Sequence, residues 1–369
     1  MPESLCGRRE IFQLRTKNKM KKFLAIVAAF SAVLALSSCS KKARADEFGW
    51  FSNFDDAKKA AKNENKHIIL YFSALDQDAK NRNLNDRIFR TSEFKEKFSP
   101  EYVFCNLDFS TSRLDDVYQN EAAEISPDSE SETENPEQKS DNASKKRSAK
   151  ETAKLQSQLS TDMALANVYA VQAFPEVYLV TKQGYMVSPL LIEESYDIDD
   201  FQNELSKTDE RKQKVSELLT KISTGKKDEA LSAIDELYTS TDDNYKFLLA
   251  EMSEKYIKLD KKNKSGKTVD HIFALANSRA QQALFEQDYD KAEKELLSPL
   301  GYKILTAEDR QQVYYSAGYF LAMSGSSNYD KMTEYFQKSY DEAPQSEYAE
   351  AIQSALNAVS EQKSQSYNQ

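Results

Sequence analysis

The pattern of apolar and polar positions changes near residue 208 of this chain. Before that point, short runs rich in aromatic and β-branched residues predict strands at 66–73, at 101–109 and on both sides of a turn at 182–184. Polar stretches with helical spacing separate these runs, at 54–63, 79–98, 155–169 and 197–205, with a break in the second at Arg90–Thr91. The alternation predicts an α/β domain over residues 47–207.

From residue 210 onward the apolar residues recur at spacings of three and four, as in Val215, Leu218, Leu219 and Ile222. Breaks are predicted at Gly225, 239–243, 261–267, Gly301 and Gly325. Helices of this length in pairs predict an all-α repeat domain over residues 210–362, followed by a flexible tail at 363–369.

Residues 110–153 contain very few apolar side chains, with an acidic first half and a basic end at 145–147. Such a segment buries too little surface to offset the entropy that ordering costs, so it is predicted to be a disordered insertion in the α/β domain. A charged interaction segment is the alternative interpretation.

Composition and charge narrow the classes of partner. The 369 residues are 40% hydrophobic and 30% charged, with a formal net charge of −10. Nucleic-acid phosphates would repel such a chain, so no nucleic-acid partner is expected. Eight glycines and eight prolines suit a helix-rich protein better than an all-β sandwich.

The N-terminal residues have the pattern of an export signal. A basic segment at 20–22 precedes the apolar run 23–36, which is short for a bilayer span, and Ser37, Ser38 and Cys39 follow. Residues 36–39 resemble the lipobox of bacterial lipoproteins, in which the cysteine becomes the lipid-bearing N-terminus. An ordinary secretory signal with a chance cysteine is the alternative.

This resemblance implies a signal peptide at 20–38, preceded by an upstream extension at 1–19. It also implies a tether at 39–46 carrying lipid on Cys39. The expected location is a bacterial cell envelope, with the protein anchored to a membrane through its N-terminal lipid and facing the periplasm.

The positions of the three cysteines limit the redox chemistry expected of the mature chain. Cys6 precedes the expected start of translation and Cys39 is expected to carry lipid, which leaves Cys105 as the one thiol of the mature chain. No intramolecular disulfide is then expected. Cys105 lies in an apolar strand, where a lone cysteine is usually an inert core residue, and a reactive or intermolecularly bonded thiol is the alternative.

Several segments of the α/β domain resemble thioredoxin-like domains. Trp50 with its following helix, "IILYFSA" at 68–74 and "NLNDRIF" at 83–89 are similar to the opening, the central strand and the active-site helix of such domains. The resemblance implies a thioredoxin-like fold and assigns Phe174–Pro175 to the cis-proline position that binds peptide. The family's two redox cysteines would correspond to Asp78 and Asn81, so thiol–disulfide exchange is not expected.

Other chemistry at this turn finds little support. Asp78 is expected to cap the helix that follows. A calcium-binding EF-hand loop starting at Asp76 would need an oxygen ligand, glycine and glutamate where the chain has Lys80, Asn81 and Arg87. No catalytic residue, cofactor or metal site is predicted.

The helical domain resembles tetratricopeptide repeats in places. Segment 274–300 has small or aromatic residues at suitable spacing, namely Ala280, Ala283, Tyr289 and Ala292. Segment 313–344 has Gly318, Tyr335, Phe336 and Pro344 near the expected places, with Met332 and Ser339 in place of the usual alanines. Small residues are needed where paired helices cross closely.

Together these features predict a non-catalytic envelope lipoprotein that binds a protein or peptide partner, as an adaptor or holdase-like factor. Two alternatives stay open. One is a thiol–disulfide redox protein acting through Cys105 or a substituted site. The other is a surface-exposed antigen or adhesin.

Overall fold

The computed structural model describes residues 45–76, 79–110 and 149–366. Five strands form one sheet: β1 (Trp50–Phe51), β2 (His67–Ser73), β3 (Tyr102–Asp108), β4 (Glu176–Val180) and β5 (Met186–Leu190). The helices between and after them are α1 (Phe54–Glu64), α2 (Ala79–Leu84), α3 (Ser92–Phe98), α4 (Ala149–Val168) and α5 (Ile198–Ser206). A π-helical turn, Asn85–Phe89, joins α2 to α3.

The remainder of the described chain is helical. Its α-helices are α6 (Asp209–Thr224), α7 (Lys227–Ser240), α8 (Ala250–Leu259), α9 (Thr268–Phe285), α10 (Tyr289–Leu297), α11 (Ala307–Met323), α12 (Tyr329–Glu342) and α13 (Ala349–Ser366). Two 3₁₀ segments, Asp243–Leu249 and Ser298–Gly301, precede α8 and follow α10. The predicted mixed organisation, α/β followed by an all-helical part, is confirmed.

The sheet is mixed, with the strand order β1-β3-β2-β4-β5. β3 runs parallel to both β1 and β2, whereas β4 is antiparallel to β2 and β5 is antiparallel to β4. The parallel pair β2–β3 therefore ends at the same edge at which β4 begins. Chain segments far apart in sequence meet at this edge.

Helices cover both faces of the sheet, which explains the continuous apolar run of β2. Ile69 and Tyr71 point into a core with Trp50, Phe94 and Phe201. Ile68, Leu70 and Phe72 alternate with them and point into a second core, formed with residues of α1 and α4. A strand buried on both faces has no need of polar alternation.

An aromatic cluster fixes the helical segment after β2. Trp50 Nε1 donates a hydrogen bond of 2.8 Å to the carbonyl oxygen of Phe89, the last residue of the π-helical turn. The ring of Trp50 also stacks on Phe94 at 5.8 Å between centroids. The predicted break at Arg90–Thr91 is confirmed, because Thr91 caps α3 by accepting from Phe94 N.

The first helices after the sheet share its core. Val215, Leu218, Leu231, Ile234 and Tyr256 belong to the same buried cluster as Val187 and Leu190 of β5. Burial of apolar surface at this junction joins α6, α7 and α8 to the sheet. The helices α9 to α13 surround a separate cluster that includes Ala280, Ala283, Ala292 and Met332.

One glycine in this second cluster marks a close helix crossing. A Cβ atom on Gly318 of α11 would lie 3.0 Å from a ring carbon of Phe336 on α12. A contact this short is tighter than most real Cβ contacts, so any larger residue at this position would require the Phe336 ring to shift. Ser339, in the place of an alanine, is fully buried and donates a 2.8 Å hydrogen bond to Gln311 O.

One strand and three boundaries differ from the prediction. β1 was not predicted, because two residues carry no readable periodicity. α4 begins at Ala149, inside the predicted insertion 110–153, because residues 149–154 are mostly good helix formers despite being polar. α13 continues to Ser366 and Lys363 forms an ion pair with Asp330, so the prediction of a flexible tail is wrong for residues 363–366. Asp46 is not part of a free tether, since its carboxylate accepts from Phe48 N and Trp50 N.

Candidate functional site

The segments at the carboxyl ends of β2 and β3 form one surface with those flanking the β4–β5 hairpin. They are residues 74–76 with Asn81, 108–110, 172–176 and Leu191, and together they form the turn surface. Leu190 pairs with Val177 in the sheet, which brings Leu191 to the same edge as Phe174 and Pro175. This is the surface to which the thioredoxin resemblance assigned the degenerate redox positions and the peptide-binding proline.

Asn81 is a structural residue of the β2–α2 turn. Its side chain is fully buried, and its Oδ1 accepts a hydrogen bond of 3.0 Å from the backbone N–H of Ala74. An amide oxygen in this position supplies the acceptor that a buried backbone N–H requires at the end of a strand. Asp78, the other predicted redox position, lies outside the described residues.

Short side chains attach the turn to β3. Ser110 Oγ accepts from Leu75 N at 3.1 Å and donates to Asp108 Oδ1 at 2.5 Å. Ser73 Oγ donates to Asn106 Oδ1 at 2.8 Å. These hydroxyls are committed to neighbouring groups of the fold. They hold the turn in place rather than presenting a nucleophile.

Neither histidine of the chain lies at the turn surface. His67 is the first residue of β2, at the opposite end of that strand, and burial together with the charges of Lys212 and Lys182 lowers its pKa to about 4. His271 lies in α9 of the helical part. The described part of the turn surface thus has no imidazole to act as a general base toward Ser73 or Ser110.

The segment before β4 is organised around Glu176. The Phe174–Pro175 peptide bond is cis. Glu176 Oε1 accepts from the backbone N–H groups of Gln172 and Ala173, at 3.0 and 3.2 Å, and Glu176 Oε2 accepts from the hydroxyl of Tyr178. Burial and this hydrogen bond raise the pKa of Tyr178, so the phenol keeps its proton. One carboxylate therefore holds both sides of the Phe174–Pro175 segment.

The turn surface exposes one large apolar side chain, Leu191, together with polar side chains. Phe174 and Pro175 are half-buried, and the Phe174 ring stacks on Phe109 at 5.0 Å between centroids. Leu191 is 74% exposed, the largest exposure among the large hydrophobic side chains of the described residues. Phe174, Pro175 and Leu191 are thus accessible apolar residues at this end of the sheet.

The helical part reaches this side of the sheet. Tyr245, in the 3₁₀ segment Asp243–Leu249, packs with Phe174 and Tyr178 in one apolar cluster. Its ring centroid lies 6.3 Å from that of Tyr178. A contact between the two parts of the chain therefore supports the residues that position Phe174 and Pro175.

Cys105 is a core residue, as the inert interpretation predicted. It is completely buried in β3 and packs in the cluster formed with α1 and α4. Burial, with the nearby charges of Asp162 and Asp56, raises its pKa well above the ordinary value. A thiol in this environment is poorly exposed and poorly ionised, which are the opposite conditions to those of a redox-active cysteine.

Other predicted features fall outside the described residues or lack a counterpart within them. Cys39 and the signal at 20–38 are outside them. Over residues 45–76, 79–110 and 149–366, no helix is long and apolar enough to cross a bilayer. In the same ranges, no three histidine, cysteine or carboxylate side chains come together as a metal-binding group.

Sequence reasoning missed Glu176, Leu191 and Tyr245. The sequence predicts that Glu176 is a solvated residue at the start of a strand. Only the turn of the chain at Pro175 brings backbone N–H groups to its carboxylate, and this turn leaves no pattern in the sequence. Leu191 continues the apolar run of β5, and nothing in that run marks where burial ends. Tyr245 is more than sixty residues from the segment it supports, beyond the reach of any local pattern.

Comparison with known proteins adds two similarities. A family model described as "Uncharacterised protein C-terminal domain" matches residues 268–365, which begin with the first residue of α9 and end within α13. No curated protein matches the chain.

Among solved structures, the chain is similar to a "DsbH Oxidoreductase" at 17% sequence identity. The match covers 48% of this chain and 94% of that one, with a TM-score of 0.29. A score this low carries no argument about fold or activity.

Proposed function

We propose that this protein is a non-catalytic binder of extended polypeptide, in which a thioredoxin-like domain without redox cysteines presents the turn surface. The single observation that carries the proposal is the buried Asn81 side chain bonded to Ala74 N. At the degenerate redox position, the chain has a side chain that completes the fold of the turn. The turn surface therefore keeps its structure without cysteines that could carry out thiol–disulfide exchange.

The mixed sheet and the contact of its helical neighbours support this interpretation. The parallel β2–β3 pair followed by the antiparallel β4–β5 hairpin is the arrangement that the thioredoxin resemblance predicts. The exposed Leu191 and the half-buried Phe174 and Pro175 supply an apolar surface that an extended chain would cover. The helical part, proposed to be tetratricopeptide-like, adds rigid support through Tyr245.

The proposed setting is a bacterial envelope. Lipid on Cys39 would hold the protein at a membrane, with the turn surface available to polypeptides near it. Replacing Cys39 with alanine is expected to release the protein from the membrane fraction. Recovery of unmodified Cys39 within a longer mature chain, by mass spectrometry, would contradict this setting.

Site-specific photo-crosslinking tests the polypeptide site. A benzophenone amino acid at position 191 is compared with one at Glu64, the exposed last residue of α1, which precedes the start of β2 and thus lies away from the turn surface. The probe is reduced, carboxymethylated α-lactalbumin, a permanently unfolded polypeptide. We expect crosslinks from position 191 and few from position 64. Equal crosslinking from both positions would rule out a defined site at the turn surface.

A redox assay separates this proposal from its main rival. The purified protein is expected to give no turnover of insulin disulfides, and peptide-resolved thiol labelling of the folded protein is expected to leave Cys105 unmodified. Turnover that disappears in Cys105→Ala would favour a redox protein instead. Protease access on intact cells distinguishes the adhesin alternative, which requires the chain to face the outside of the cell.

A further inference from the structure

A lysine-rich loop in the helical part has a rigid framework. The loop joins α8 to α9 and carries Lys261, Lys262, Lys264 and Lys267 within the eight residues 260–267. Two residues have a positive φ angle, Asn263 at 50° and Gly266 at 76°, so the chain turns sharply there. Thr268 N, at the start of α9, donates a 2.9 Å hydrogen bond to Asn263 Oδ1 and closes the loop.

A buried carboxylate holds this framework together. Asp260 is 1% exposed, and its oxygens accept from Lys264 N at 3.0 Å, from Ser265 N at 2.9 Å, and from the hydroxyls of Ser265 and Thr268 at 2.7 and 3.1 Å. Burial alone would raise the pKa of Asp260, but these hydrogen bonds outweigh it and lower the pKa to about 2. The ionised carboxylate of Asp260 therefore accepts its hydrogen bonds from groups of the loop and the start of α9.

Three of the loop lysines line a surface hollow of about 270 Å³. The hollow is lined by Lys227, Lys258, Leu259, Asp260, Lys261, Lys262 and Lys264. Lys258 forms an ion pair of 2.7 Å with Glu254. Within the described residues, the other four lysines of the hollow form no salt bridge. Four exposed lysines without a salt bridge around one depression give it a positive local potential, which attracts anions.

Asp260 also lines the hollow, but its oxygens accept from N–H and O–H groups of the loop, and five lysines line the hollow against this one carboxylate. Asp228 and Glu229 follow Lys227 in the first turn of α7, but neither lines the hollow. The carboxylate of Glu229 lies on the side of Gly225, 2.9 Å from where a Cβ atom of that residue would be. A concentrated positive site in a chain of net charge −10 is a local feature that overall composition does not predict.

We propose that the lysine hollow binds a phosphate-bearing anion. A lysine ammonium is a compact charge with three donors, and several of them together match the multiple charges of phosphate groups better than the single charge of a carboxylate. Soluble polyphosphates or phosphate esters and the phosphate headgroups of anionic lipids share this chemistry. The site is separate from the turn surface, so its failure would leave the proposed polypeptide site untouched.

Charge reversal with a matched control tests the site. The variant Lys261→Glu with Lys262→Glu is compared with Lys62→Glu and Lys303→Glu, two exposed lysines elsewhere that give the same change in net charge. Binding of inorganic tripolyphosphate is measured by calorimetry. Binding of vesicles with and without phosphatidylglycerol is measured by flotation, and circular dichroism verifies folding.

We expect the hollow variant to lose about tenfold or more in affinity while the control variant stays close to the wild type. Binding of tripolyphosphate alone would identify a soluble ligand, whereas binding of phosphatidylglycerol vesicles alone would identify a lipid headgroup. The proposal is overturned if the wild-type protein binds neither probe near physiological salt. Equal losses in both variants would overturn it too, since net charge would then explain the binding.

Discussion

Two buried polar side chains accept hydrogen bonds from the backbone of the two candidate sites, and they differ in charge. Asn81 brings a neutral amide to the end of β2, whereas Asp260 brings a full charge to the loop before α9. The turn surface includes the exposed Leu191, and the loop around Asp260 presents lysines. The buried group in each case accepts hydrogen bonds from the backbone, and we propose that the exposed side chains around it determine what each surface binds.

The largest expected effect comes from removing the charge at the centre of the lysine loop. Asp260→Ala leaves the backbone N–H groups of Lys264 and Ser265 and the Ser265 hydroxyl without their acceptor, while the Thr268 hydroxyl keeps the carbonyl oxygen of residue 260 at 2.9 Å. We expect it to lower the free energy of unfolding by about 2–3 kcal/mol, since hydrogen bonds to a buried charged group are among the stronger ones. Urea denaturation of the wild type and the variant measures the difference.

The control for this change is Asp270→Ala, an exposed aspartate in the first turn of α9. Surface substitutions of this kind usually change stability by less than about 0.5 kcal/mol. Similar losses of unfolding free energy in both variants would show that stability depends on aspartate charge near α9 and not on the hydrogen bonds within the loop.

A smaller loss is expected at the turn surface. Asn81→Ala removes the acceptor for the buried Ala74 N–H, and we expect it to cost about 1–2 kcal/mol. Asn83→Ala is the matched control, because Asn83 is an exposed asparagine of the same helix whose amide reaches only Glu194. If the two variants have equal stability in urea denaturation, Asn81 does not support the turn.

Mild acid is expected to weaken the fold while the charge of Asp260 remains. Burial lowers the pKa of His67 and of His271 to about 4 from an ordinary value of 6.5. The unfolded chain therefore binds more protons than the folded one between these values, and stability declines as the pH falls from 6.5 to 4. Asp260, with a pKa of about 2, stays ionised throughout this range.

Urea denaturation at pH 7 and pH 5 measures this loss of stability. His271→Gln should reduce the dependence on pH, since one of the two buried imidazoles is then missing. An equal dependence in wild type and variant would show that His271 does not take up a proton when the chain unfolds.

The sequence predicted most elements because their signals are local. The covered strands β2 and β3 are apolar throughout, and helix breaks at Gly225, Gly301 and Gly325 follow from glycine alone. The break before α10 has no glycine: Gln287 takes a positive φ of 57° there, and no residue type announces it. The π-helical turn Asn85–Phe89 was also not visible, since it depends on the distant Trp50.

The candidate sites were predictable only in position. The thioredoxin resemblance identified Asn81 and Phe174–Pro175 from the sequence, but it gave no role to the Asn81 amide. The segment 261–267 was predicted simply as a break between helices. Asp260 acquires its role when the backbone of Asn263 and Gly266 turns and brings the N–H groups of Lys264 and Ser265 to its carboxylate. Long-range and loop geometry of this kind leaves no periodic signal.

The most direct test of the central claim is the affinity of the turn surface for an unfolded polypeptide. Fluorescence anisotropy with labelled, reduced, carboxymethylated α-lactalbumin compares the wild type with Leu191→Gln and with Tyr289→Gln. Tyr289 is 51% exposed and lies in α10 of the helical part. We predict that Leu191→Gln weakens binding about tenfold and that Tyr289→Gln leaves it unchanged, since burying one leucine stabilises a contact by about 1.5–3 kcal/mol. Undiminished binding by Leu191→Gln would contradict the account.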